Sequence, residues 1–104
     1  MSDRLFEQVK RKCNITWNDE DTNARLTDIM AAAIPTLIHK LGIADPDFDF
    51  SAAGTENTLF VNYCFYDYEH CVNEFDDNFK REIAQVRAKH RVKYYKENGV
   101  ISDE

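Results

Sequence analysis

Residues 26–41 read LTDIMAAAIPTLIHKL, and this stretch decides the fold class. Leu26, Ile29, Met30, Ala33, Ile34, Leu37, Ile38 and Leu41 recur at offsets 0, 3, 4, 7, 8, 11, 12 and 15. That spacing is the 3.6-residue period of a helix with one broad core-facing strip. Asp19-Glu20-Asp21 just upstream supplies a start signal. An aspartate there accepts from free backbone N–H groups, and the acids sit at the positive end of the helix dipole. Gly42 supplies a left-handed stop. Pro35 falls inside, removing one backbone bond and crowding the carbonyl of Ala31, so a kink is expected there.

Working outward, Ser2 and Asp3 can cap a first helix over about residues 3–12, with Leu5, Phe6 and Val9 on one face. Cys13 to Asn18 reads as a loop whose Trp17 folds back onto the core. Residues 43–55 form the main loop, with Phe48 and Phe50 plugging it into the core. Thr55 or Asn57 opens a third helix carrying Val61, Phe65, Tyr68, Val72 and Phe75 at offsets 0, 4, 7, 11 and 14. Phe60, Cys64 and Cys71 widen its strip. The acids of Glu74 to Asp77 mark a bend or the cap of a fourth helix, which carries Phe79, Ile83, Val86 and His90. No useful strand alternation and no internal repeat occurs. The expectation is an all-α domain of about four helices over residues 1–96, with a flexible tail over 97–104.

With 104 residues, three glycines and two prolines, the chain is one small domain and not a low-complexity or collagen-like sequence. The uncharged run Ile29 to Ile38 is ten residues, where a membrane helix needs about 20. The N-terminus does not read as a secretory signal. Three cysteines, Cys13, Cys64 and Cys71, then point to reduced thiols in a cytosolic setting.

The net charge is −6, but it is not spread evenly. Residues 13–79 hold thirteen acids against Arg25 and Lys40. Residues 80–96 hold seven bases against Glu82. An acidic body and a basic terminal helix suit head-to-tail contact between copies. They equally suit a soluble domain with charged faces. In the basic helix Arg87, Arg91 and Lys93, with Tyr94 and Tyr95 as anchors, form a candidate partner interface. The same residue types can hold nucleic acid, but the acidic body disfavours that.

Catalytic and metal chemistry find little footing. Asp45, Asp47 and Asp49 alternate as in a calcium loop, yet the sixth position is Phe50 where a glycine is needed. Cys64, Asp67, His70 and Cys71 form the densest set of ligand-type residues. They lack the paired ligands of a zinc site and the repeated Glu-x-x-His of di-iron bundles. Three glycines at 42, 54 and 99 cannot build a phosphate loop. No catalytic residue, metal or cofactor is assigned.

Several segments together resemble the small head–tail connector proteins of long-tailed bacteriophages. They are Ile15-Thr16-Trp17-Asn18-Asp19-Glu20-Asp21 before the long helix, Gly42, and Phe50 and Gly54 in the loop. Asn62-Tyr63-Cys64-Phe65-Tyr66, Asn73-Glu74-Phe75, Phe79 and Glu82-Ile83 leading to Arg87 follow in order. The resemblance spans roughly residues 4–92. It implies an all-helical, non-enzymatic subunit of a virion neck, assembled in the host bacterial cytoplasm. Such subunits form a ring of about a dozen copies beneath the portal protein. The ring carries the next neck or tail protein and passes double-stranded DNA without holding it. Carboxylates at the lumen would deter phosphate contacts, and Asp45, Asp47 and Asp49 are candidates for that lining. The competing expectation is a small cytosolic helical adaptor whose basic helix docks on an acidic partner.

Overall fold

The computed structural model describes residues 3–98 and is all-helical over them. Five α-helices follow one another: α1 (Asp3–Lys12), α2 (Glu20–Lys40), α3 (Thr55–Tyr68), α4 (Phe75–Asn78) and α5 (Lys80–Asn98). A 3₁₀ turn, Val72–Glu74, precedes α4. Capping by Ser2 lies outside the described residues. So do residues 99–104 of the expected tail; residues 97 and 98 continue α5.

Helix α2 forms as its sequence dictates. Asp19 is its N-cap, and the Asp19 carboxylate accepts the Thr22 N–H at 2.9 Å. The helix runs through Pro35 without ending. Leu26, Met30, Ala33 and Leu37 bury one edge of the strip. Ile29, Ile34 and Ile38 are only partly buried, so the strip is wider than the face it buries.

The three longer helices before α4 end alike. Residues Asn14, Gly42 and His70 take φ of 58°, 65° and 63°. At each the next residue's N–H reaches back five positions: Ile15 to Lys10 O, Ile43 to Ile38 O, and Cys71 to Tyr66 O. This is the Schellman arrangement, which satisfies carbonyls that a helix end leaves open. Only the middle one uses glycine.

That third stop corrects the reading of α3 as a helix reaching Phe75. The chain turns at Glu69-His70, so the apolar offsets of Val72 and Phe75 belong to other elements. A long-range donor holds this end. Arg25 of α2 donates to the Tyr68 carbonyl at 2.7 Å and lies over the Tyr68 ring at 4.3 Å. Phe75 is nevertheless core: α4 folds it back against Tyr63, Tyr66 and Phe79. Four expected helices therefore become five, with α4 as the extra short one.

The core gathers Leu5 and Val9 of α1, the buried edge of α2, and Leu59, Phe60 and Cys64 of α3. Phe50 of the main loop stacks on Phe60 at 4.9 Å, and Phe48 packs edge-on against Phe50. Asn57 fixes the loop by donating to the Phe50 carbonyl at 2.7 Å. Among the described residues no helix is long and apolar enough to cross a membrane.

Candidate interaction surface

Helix α5 is the least embedded long element, and it positions the basic residues. It is pinned at two points. Arg87 donates to the Lys40 carbonyl at 2.8 Å and to the His39 carbonyl at 3.4 Å. A cation at a helix C-terminus meets the negative end of the dipole, so Arg87 serves as a cap on α2. One turn on, His90 Nε2 lies 2.8 Å from Glu56 Oε2 in the first turn of α3. Both residues are buried. Phe48 closes over the His90 ring edge-on at 5.6 Å. Lys89 also pairs with Glu56 from the solvent side. Burial pushes the Glu56 carboxyl up, but hydrogen bonds from Lys89, its own backbone N–H and His90 outweigh this and hold it below its ordinary value.

Beyond His90 the described part of α5 has no buried residue through Glu97. Val92, Tyr94 and Tyr95 are exposed there, with Tyr94 and Tyr95 edge-on at 5.8 Å. Arg91, Lys93 and Lys96 share this arm. Of the five residues expected to form an interface, four thus lie together on the arm. Arg87 lines a depression with Arg91, Tyr94 and Tyr95, but its guanidinium is engaged within the subunit.

The three loop acids are exposed, and two shape the loop itself. Asp45 Oδ1 accepts the Asp47 N–H at 2.8 Å. Asp49 Oδ1 accepts the Ser51 N–H at 2.9 Å and the Ser51 hydroxyl at 2.6 Å. The Ser51 bonds hold the Asp49 carboxyl below the usual range. Asp45 also borders a depression shared with His90, Lys93, Tyr94 and Glu97. Asp45 and the basic arm therefore adjoin, where the sequence had them in separate roles.

Trp17 is a second correction. It does not fold onto the core; it is 49% exposed. Its indole N–H donates to Thr22 Oγ1 at 3.3 Å, and that hydroxyl donates to Asp19 Oδ2 at 2.9 Å. The ring is thus tied to the first turn of α2, beside Glu20 and Asp21. The Thr22 bonds hold the Asp19 carboxyl below its ordinary value.

The cysteines divide by burial. Cys64 faces the core, and burial raises its thiol pKa. Burial pushes the Cys13 thiol up to about 11. Cys71, expected beside the apolar face of α3, instead sits past that helix's end, half-buried, ahead of the 3₁₀ turn. His70 is exposed and approaches Arg25 at 3.3 Å. Cys64, Asp67, His70 and Cys71 do not converge, and no group of three such ligands is placed to hold a metal among the described residues.

Sequence reasoning missed the Glu56–His90 contact. The position of His90 in an apolar helix period was its only local signal; nothing in the sequence paired it with a residue 34 positions away. Comparison with protein-family models, curated proteins and solved structures returned no match.

Proposed function

We propose that this chain is a non-catalytic structural subunit that assembles head to tail into a ring, as a phage head–tail connector does. One observation carries the reading. The acids of Asp19-Glu20-Asp21 open α2, while Arg87 of α5 sits on its last carbonyls and the basic arm continues past it. Helix α2 has 21 residues, which at 1.5 Å per residue separates the two ends by about 30 Å. Opposite charges that far apart cannot satisfy each other within one subunit, yet they complement each other between neighbours.

In this reading the arm, with Arg91, Lys93, Tyr94 and Tyr95, engages a neighbouring copy or the portal protein. The ring sits in the virion neck, carries the next neck or tail component, and lets double-stranded DNA pass. The exposed carboxylates of Asp45, Asp47 and Asp49 suit a surface that phosphates avoid. The motif order from Ile15 to Arg87 supports the connector assignment.

Negative-stain microscopy of the purified chain, alone and mixed with a portal protein, tests it. Rings, or a portal-bound collar, are the expected particles. A chain that stays monomeric and ignores portal at low and moderate salt refutes the reading. An adaptor role rests on the same arm without a ring, and neighbouring genes separate the two: portal, capsid or tail genes against a regulatory operon.

A further inference from the structure

The one tryptophan, half in solvent, and an apolar hollow lie at opposite ends of α2. Trp17 stands at the N-terminal end, held by Thr22 and Asp19, with Glu20 and Asp21 following it. A fixed aromatic ring offers large contact area at little further loss of rotamer freedom. At the other end Ile34, Pro35, Ile38 and Pro46 line an open hollow of about 620 Å³. It is the side of the α2 strip that the core leaves uncovered. Gly42 forms one border of this hollow and also borders the depression between Arg91, Tyr94 and Tyr95. An apolar seat and a guanidinium therefore adjoin.

We propose that Trp17 of one copy seats in the Pro35 hollow of the next copy, with Glu20 and Asp21 of the first facing Arg91 of the second. This rests on the head-to-tail reading and names its contact. The occupant follows from complementarity. The hollow takes an apolar ring, and the depression that meets it at Gly42 bears Arg91, a cation that makes no hydrogen bond or ion pair among the described residues. The Trp17 corner supplies the ring and two carboxylates, Glu20 and Asp21, neither of which is paired among the described residues. The length of α2 forbids the contact within one chain. Two different surfaces meet, so the contact is heterologous and can propagate. An aromatic anchor in a pocket, ringed by polar contacts, is the usual form of an interface hot spot.

Trp17 is the single tryptophan, so the full-length chain carries its own probe. Sedimentation velocity and tryptophan emission are followed across one concentration series. Emission should move to shorter wavelength, and acrylamide quenching should fall, in step with association. Trp17→Ala and Ile34→Lys should each weaken association by about tenfold or more, as loss of a hot spot does. Trp17→Ala lies outside the helices and half in solvent, so its circular dichroism should match the parent and secures the comparison. Asp21→Arg and Arg91→Asp should each weaken association alone, and mixing the two should restore it.

Association with Trp17 still fully quenchable, or unchanged by Trp17→Ala, overturns the docking. If the mixed charge variants still rescue each other in that case, the head-to-tail reading survives by another contact. A chain monomeric at every concentration overturns the docking; the portal mixture then decides the wider reading separately.

Discussion

Replacing Glu56 by alanine should unfold the chain more easily than any surface change of similar size. Glu56 is 8% exposed and His90 is 7% exposed. Removing the carboxylate leaves a buried imidazole nitrogen without its acceptor, which costs about 1–3 kcal/mol. The Lys89 side chain is 59% exposed, so its pair adds little, at most about 1 kcal/mol. An acid lost from a first helical turn costs about 0.3–1 kcal/mol more. The expected total is about 2–3 kcal/mol, because these contributions overlap and do not simply add. For a domain of this length that lowers Tm by roughly 8–20 °C. The isosteric Glu56→Gln keeps an acceptor for His90 and should lose only about 1 kcal/mol. Urea unfolding followed by far-UV circular dichroism measures both variants.

The pH dependence has a definite sign. The folded Glu56 carboxyl lies below its ordinary value near 4.5. A depressed carboxylate stabilises the fold above its unfolded pKa, and that stabilisation fades as pH falls through the folded one. The gap between parent and Glu56→Gln should therefore be full at pH 7 and shrink below the ordinary carboxylate value. A Glu56→Ala loss under about 0.5 kcal/mol would contradict the account, since that is the range of ordinary surface substitutions. So would a Glu56→Gln gap unchanged from neutral to acid.

Arg87→Ala should destabilise by about 1 kcal/mol by uncapping α2, with hydrogen exchange quickening first in the amides of the last α2 turn. Gly42→Ala should cost about 1–2 kcal/mol by denaturant midpoint, because the left-handed backbone opposes a Cβ there, although that Cβ would meet the Arg87 side chain only at an ordinary 4.0 Å. Leu37→Ala should cost about 2–5 kcal/mol by the same measurement as a cavity in the core. With a disulfide reagent, Cys71 should react first in the native state, and Cys13 and Cys64 only as the chain opens.

Helix α2 was legible because its start, period and stop are all local: Asp19, the Leu26–Leu41 spacing and Gly42. The end of α3 was not. It is held by Arg25, 43 residues away from Tyr68, and it uses His70 where sequence reasoning looks for glycine. Periodicity then ran on by coincidence into Val72 and Phe75. Ile34 and Ile38 show the opposite limit. Their spacing marks an apolar strip, but spacing does not say how much of it another element covers. The exposure of Arg91, Lys93, Tyr94 and Tyr95 on one helix follows from their local charge and polarity. The engagement of the Arg87 guanidinium by the end of α2, the Glu56–His90 contact and the exposure of Trp17 all arise from tertiary geometry.

The outer turns of α5 have a thermodynamic consequence of their own. From Arg91 to Glu97 no side chain is buried, so helical order there draws more on backbone bonding and intrinsic propensity than on core packing. Such turns open at little cost. Any partner that requires them helical must supply the ordering free energy out of its own contacts. Substituting β-branched Val92 by alanine raises helix propensity by only a fraction of a kcal/mol, yet that fraction bears directly on the bound state. The arm is thus a place where affinity can be tuned through the free chain's entropy, apart from the atoms that touch.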